Sequence, residues 1–206
     1  MFWIKPPLRI KPYLHDALWQ VKSNEKAIYL TFDDGPHPTT TPFILDLLAA
    51  HNFTATFFCL GQNVEKYPDL FERMKREGHS VGNHSYSHLN AWSTNTDVYL
   101  EDVAKAQDLI QSRLFRPPYG KLMYPEWKLL KQQYSIVMWS LMPEDFREDI
   151  SSETILGRLC RNVGRRNIIV LHENDKSKNH IKQILPRYLS MLQSQEYQVK
   201  KLPNAN

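Results

Sequence analysis

The stretch Ala27-Ile28-Tyr29-Leu30-Thr31-Phe32-Asp33-Asp34-Gly35-Pro36 is an apolar, β-rich run that stops on two carboxylates and a turn. A continuous apolar run bounded in this way suits a strand of a parallel sheet covered on both faces. Six further segments, 55–60, 79–82, 114–116, 135–141, 167–171 and 197–202, read as strands by the same criterion. Stretches of helical period fill the gaps between them. Thr41 followed by Pro42 reads as an N-cap with proline at the first helical position, opening residues 43–48. Val98, Val103, Ala106, Ile110 and Leu114 recur at steps of about four, an amphipathic stripe. Ser151 or Ser152 caps a helix carrying Ile155, Leu156 and Leu159, and Ile181, Ile184, Leu185 and Leu192 mark the last helix. Strand and helix alternate along the whole chain, which defines an α/β fold.

The placement of polar groups distinguishes a barrel from an open sheet. Asp33, His84, Tyr119, Asp145 and His172 each fall just after a strand candidate. A ring of strands brings all five to one mouth. An open sheet concentrates function at one switch point and usually carries a Gly-rich phosphate loop, which this sequence lacks. With 206 residues the chain is short of the ~250 typical of a full barrel. The expected fold is therefore a distorted, incomplete (β/α) TIM-like barrel of about seven parallel strands. Residues 1–26 are expected to form an N-terminal arm packed on a domain spanning 27–206.

Composition narrows the partners. The chain is 42% apolar and buries a sizeable core. Its formal charge of +4 is scattered in small basic groups, so no stripe suggests nucleic acid. Cys59 and Cys160 lie in apolar and amphipathic settings and read as two buried thiols rather than a disulfide. Residues 1–7 lack the apolar core of about 7–15 residues that a secretory signal needs, which leaves the cytoplasm as the default location. No segment reads as a transmembrane span. Oligomeric state leaves no mark on the sequence.

Four short words carry the chemistry. Asp33-Asp34, turned to the mouth by Gly35-Pro36, offers one carboxylate to a metal while its neighbour stays free as a base. Alone, the word reads as an ordinary solvated turn. His84 and His88 stand four residues apart; on a helical turn both rings face one side, close enough to share an ion. Imidazole and carboxylate, with a fourth position left for water, suit zinc. In Arg116-Pro117-Pro118-Tyr119-Gly120 two prolines remove two amide donors and leave the amides of Tyr119 and Gly120 free to face a ligand. Arg116, permanently cationic, is suited to hold a carboxylate. His172 ends Ile168-Ile169-Val170-Leu171, a position common for a satisfied core or rim histidine; beside the other words at the same barrel end, a second imidazole away from the metal would serve as general acid.

Taken in order, these words resemble the polysaccharide deacetylases of the NodB-homology type, carbohydrate esterase family 4, over roughly residues 27–202. Residues 31–35, 84–88, 116–119 and 171–172 match the family's first, second, third and fifth motifs. The resemblance implies Asp33 as general base, Asp34, His84 and His88 as metal ligands, and Arg116 as the partner of Asp33. It also implies the Tyr119 amide as oxyanion donor, Leu171 as lining of the acetyl-methyl pocket and His172 as general acid. The fourth motif departs from the pattern, with Asp145-Phe146 for an acidic residue followed by Trp and with Met142 at a commonly acidic position. Asp145 still serves to orient His172, while Phe146 lacks the indole donor and ring area of Trp, altering substrate fit.

The implied activity is metal-assisted removal of acetyl groups from an oligo- or polysaccharide, foremost N-acetyl groups of GlcNAc-type residues in a peptidoglycan- or chitin-like polymer. The metal expected is Zn2+, with Co2+, Ni2+ and Mn2+ also compatible with the ligands. An O-acetyl glycan esterase or small-amide hydrolase on the same scaffold is the alternative within hydrolases. A catalytically silent carbohydrate-binding domain ranks below both, because Asp33, Arg116 and His172 are all present.

Overall fold

Strand β1 (Ala27–Asp33) is the axis of the structure, a computed structural model that describes residues 16–21, 25–164 and 167–203. It pairs over its length with β6 (Asn167–His172) on one edge, in a register that sets Asp33 opposite His172. On the other edge its first half meets β7 (Gln198–Lys200) and its second half meets β2 (Thr56–Cys59). Beyond β2 the sheet continues through β3 (Ser80–Asn83) and β4 (Leu114–Phe115) to β5 (Ser135–Ile136). Every pair is parallel. Parallel strands need crossovers, supplied by α1 (Thr40–Ala50), α2 (Gly61–Lys66), α3 (Pro68–Arg76), α4 (Thr96–Ile110), α5 (Tyr124–Leu130), α6 (Ser152–Asn162) and α7 (Lys178–Ser194).

The ring closes through one isolated bridge, between Leu141 and Ile169. Its hydrogen bonds run from the Ser140 amide to the Ile168 carbonyl (2.9 Å) and from the Val170 amide to the Leu141 carbonyl (3.0 Å). The single strand expected over 135–141 is thus broken. Ser135–Ile136 pairs with β4, Val137 bridges to Leu18, and only Leu141 reaches β6. Between them, the carbonyls of Val137 and Met138 accept hydrogen bonds from the Arg116 side chain at 3.3 and 3.1 Å. The architecture is a distorted, nearly closed barrel of seven parallel strands, in accord with the reading from strand ends.

Two cores follow from the alternation of side chains along β1. Ile28, Leu30 and Phe32 pack outward with Ile44, Leu45 and Leu48 of α1 and Ile184, Leu185 and Leu189 of α7. Tyr29 packs with Phe58, Phe115, Ile168 and Val170 in the second core. Thr31 and Asp33 share that inner face, so the strand that builds the fold also aims Asp33 into the barrel.

Several local expectations shift. Helix α1 begins at Thr40, ahead of the expected cap, because the His37 ring Nδ1 accepts from the Thr40 amide (3.2 Å). Thr41 is consequently inside the helix, and its hydroxyl accepts from the His37 amide and donates to Glu173. In α4 the buried face carries Tyr99, while Val98 is exposed and Leu114 belongs to β4. Ser151 is the residue that caps α6, accepting from the Thr154 amide. Both thiols are free as expected, but Cys160 is exposed rather than buried. Of the arm expected over 1–26, residues 1–15 and 22–24 lie outside the described residues. Within it, Ala17 and Trp19 are buried in the second core. Among the described residues no helix is long and apolar enough to cross a membrane.

His79 supplies a pH test of this core. Its ring packs edge-on against Phe57, and its Nδ1 accepts from the Ala55 amide at 3.2 Å, which requires the neutral form. Burial pushes its pKa down from 6.5 to about 4. The unfolded chain takes up a proton near 6.5 that the folded chain refuses, so this contribution is present above that pH and is lost as pH falls toward 4. Urea midpoints of the parent should therefore drop from pH 7 to pH 5 by more than those of His79→Asn, whose amide oxygen accepts the same bond without titrating. An equal drop in both proteins contradicts this assignment.

Candidate metal and catalytic centre

Arg116 lies just past β4 with its side chain fully buried. Its Nη1 donates to Asp33 Oδ1 at 2.6 Å and to Thr31 Oγ1 at 2.7 Å, and the guanidinium stacks 4.1 Å from the Phe58 ring centroid. A charge removed from water in this way needs a counter-charge and full hydrogen bonding, and Asp33 and the two carbonyls supply both.

The next residue turns the chain. Asp34 has a left-handed backbone (φ 76°), which ends the strand and lets its carboxylate point away from the Asp33 pair. The turn is held from outside: Asn63 Nδ2 donates to the Asp34 carbonyl (2.7 Å) and the Leu60 amide to the Gly35 carbonyl (2.9 Å). Gly35 leaves room for the Glu173 carboxyl, which would have to move for a Cβ that would come 1.9 Å from its Oε1.

His84 and His88 do meet Asp34, but by a different route from the expected helical turn. The segment after β3 is an irregular loop with left-handed backbones at Ser85 (φ 68°) and His88 (φ 63°). Asn83 Oδ1 accepts from the Ser85 amide, Ser85 Oγ accepts from the His88 amide, and Asp102 of α4 accepts from the amides of Tyr86 and Ser87. Folded this way, the two rings lie 5.2 Å apart between centroids. His84 Nε2 is 3.5 Å and His88 Nε2 3.3 Å from Asp34 Oδ1.

The donor set fits a divalent cation. One oxygen and two imidazole nitrogens all lie within 4.8 Å of one another. Asp34 Oδ1 is buried without a hydrogen-bond partner, while its Oδ2 accepts from Asn174 Nδ2 (2.7 Å). Burial opposes charge on Asp34, but His172, His84, His88 and the Asn174 amide together hold its carboxyl below the usual range. His84 Nδ1 lies 2.7 Å from the Arg116 carbonyl; donating there turns a bare Nε2 toward Asp34. Burial, then the neighbouring His84, pushes His88 down to about 4, leaving its ring neutral.

On the opposite side, Asp145 grips His172 twice. Its Oδ1 is 2.9 Å from His172 Nδ1 and its Oδ2 accepts from the His172 amide at 2.7 Å. Burial works against the imidazolium, yet Asp145 and then Asp34 and Asp33 raise His172 to about 9. Phe146 packs edge-on against the same ring at 5.0 Å, so this aromatic supports the imidazole by shape.

The third motif is only partly as expected. Tyr119 is left-handed (φ 59°), and no acceptor for its amide lies among the described residues. The Gly120 amide, expected to be free, instead donates to the Pro117 carbonyl at 3.0 Å and closes a tight turn. Gly120 serves packing, for a Cβ there would come 2.3 Å from the Trp139 ring. Leu171 lies fully buried in the outer core with Phe32 and Leu141, so it offers no open surface to a ligand.

A cleft of about 560 Å3 opens beside Asp34 and His88, between the loop after β1, helix α2 and the loop after β6. Glu173 lines it and was not singled out from the sequence, because a glutamate after a histidine carries no signal of its own. Its carboxyl is fully buried, with Oε1 unpartnered, and burial together with the charges of Asp34 and Asp33 raises it to about 8. Asn174 and Asn63, the amides that position Asp34, were missed for the same reason.

The mouth of this nearly closed parallel barrel thus carries a carboxylate and two imidazoles, beside an arginine-paired aspartate and an aspartate-paired histidine. The family model for polysaccharide deacetylase matches residues 20–134. A peptidoglycan-N-acetylglucosamine deacetylase of Bacillus cereus is 38% identical over 72% of this chain and 56% of its own length. A second protein of that name and organism is 34% identical over 87% of each. A solved peptidoglycan N-acetylglucosamine deacetylase in complex with a hydroxamate-type benzamide superposes with a TM-score of 0.86 at 31% identity, covering 94% of this chain and 95% of that one. The chain belongs to the polysaccharide deacetylase family and spans about half the length of the first of these relatives.

The double grip of Asp145 gives a direct test. In metal-free protein, proton titration of the His172 ring by NMR should give a midpoint near 9, falling in Asp145→Asn, which retains a hydrogen bond but not the charge. A midpoint unmoved by the substitution contradicts the cause assigned here.

Proposed function

We propose that this chain removes acetyl groups from a glycan, hydrolysing the N-acetyl amide of GlcNAc-type residues, with zinc held by Asp34, His84 and His88. The observation that carries the reading is the separation of the two aspartates. Asp33 Oδ1 is paired with Arg116 and its Oδ2 lies 3.9 Å from His84 Nε2, whereas Asp34 Oδ1 approaches both imidazoles, at 3.5 and 3.3 Å. Co2+, Ni2+ and Mn2+ suit the same ligands.

Held by Asp34, His84 and His88, an ion of this kind would polarise the acetyl carbonyl as a Lewis acid and acidify a water toward neutral pH. The chain's own groups do the rest. Asp33, fixed by Arg116, accepts the proton as water adds to the carbonyl carbon. The Tyr119 amide donates to the developing oxyanion, a type of contribution worth about 3 kcal/mol where a single donor has been removed. His172, its Nδ1 occupied by Asp145, delivers a proton from Nε2 to the departing nitrogen as the carbon–nitrogen bond breaks. An amine leaves poorly without that proton, which suits an amide substrate better than an ester. The resemblance of the chain to peptidoglycan-N-acetylglucosamine deacetylases supports the same substrate class.

The zinc-loaded protein should release acetate from N-acetylglucosamine oligomers, and Asp33→Asn should lose roughly 10²- to 10⁴-fold in kcat, the usual worth of a general base. Acetate release confined to O-acetylated glycans would shift the reading to an esterase. Binding of glycans without any release would make the domain a silent carbohydrate binder. Parental activity in Asp33→Asn would refute the role of the base.

A further inference from the structure

We propose that Trp92 and Lys121 hold the sugar next to the one whose acetyl group is removed. The inference deepens the proposed function and rests on it for the identity of the glycan.

Trp92 is 62% exposed, against 2% for its neighbour Ala91, so it does not belong to the core. The loop that carries it is fixed. Ala91 is buried in the second core, and Asn90 Oδ1 accepts from the Trp92 amide at 3.1 Å. A large apolar ring exposed to water has a cost that a stacked partner removes.

The ring is also continuous with the candidate centre. Lys121 Nζ stands 4.6 Å from the Trp92 ring centroid and 5.8 Å from that of Tyr119. Tyr119 is itself half exposed and packs edge-on against the metal-ligand candidate His88 at 4.6 Å. His88, Tyr119, Lys121 and Trp92 are thus linked by successive contacts, with one ammonium between the two exposed rings. Aromatic faces carry partial negative charge and take the C–H face of a pyranose, while an ammonium donates to ring hydroxyls or to a carboxylate substituent. A linear glycan with one residue at the centre lays its neighbour along this path. The buried core surrounding the site offers no comparable face, since Leu171 is enclosed and Phe146 is committed to His172.

Two measurements test the subsite. Metal-free protein should bind an N-acetylglucosamine tetramer measurably in calorimetry, with Kd raised about tenfold or more in Trp92→Ala and largely restored in Trp92→Phe. With zinc-loaded protein, the ratio of kcat/KM on the tetramer to that on 4-nitrophenyl acetate should fall by a similar factor in Trp92→Ala. Unchanged Kd in Trp92→Ala, or no binding of the tetramer by the parent, overturns the subsite. A parent that binds the tetramer through Trp92 but releases no acetate overturns the proposed function and leaves the subsite standing.

Discussion

Everything at the mouth of this barrel depends on one buried ion pair. Arg116 is withdrawn wholly from water, and its charge is tolerable only because Asp33, Thr31 and the carbonyls of Val137 and Met138 surround it. Those partners come from β1 and from the chain after β5, with Phe58 of β2 stacked on the guanidinium. The same residue therefore draws the ends of the strands together and fixes Asp33. Removing one member of such a pair leaves the other charged and buried, a loss of about 3–5 kcal/mol in comparable cases. The break in the strand expected over 135–141 is the structural counterpart, because two of its carbonyls are turned to Arg116 in place of a neighbouring strand.

Against this rigid base the metal-ligand candidates sit on strained loops. Asp34, Ser85, His88 and Tyr119 are all non-glycine residues with φ between 59° and 76°. Such backbones cost of order 1–3 kcal/mol each and persist only where their surroundings over-determine them. Here those surroundings are visible: Asn63 and Asn174 hold Asp34, Ser85 and Asp102 hold the histidine loop, and the Pro117 carbonyl and Trp139 hold the turn at Gly120. The turn at Asp34 separates groups that are adjacent in sequence, so that only Asp33 pairs with Arg116 and only Asp34 approaches both imidazoles.

Most of the fold was legible in the sequence because it follows from apolar runs. All seven segments read as strands contain one, and the polar residues after them do converge. The site residues were legible because their four words, each an ordinary feature alone, fall in the order of the motifs they resemble. What escaped was local. No periodicity announces that His37 would cap α1, that the histidine pair would fold as a loop, or that the Gly120 amide would be spent on a turn. The same limit hid Glu173, Asn174 and Asn63, whose importance comes from which backbone they reach across the barrel. The exposure of Trp92 is another such case: its sequence position suits core and surface equally, and only the burial of Ala91 beside it decides.

The most direct test of this account is a zinc titration by calorimetry of the metal-free parent, Asp33→Asn and Asp34→Asn. One zinc per chain is expected in the parent and in Asp33→Asn. In Asp34→Asn, affinity should fall by more than the roughly 10- to 100-fold that loss of an outer partner costs. No binding by the parent, or equal losses in the two variants, would contradict the division of labour between the two aspartates.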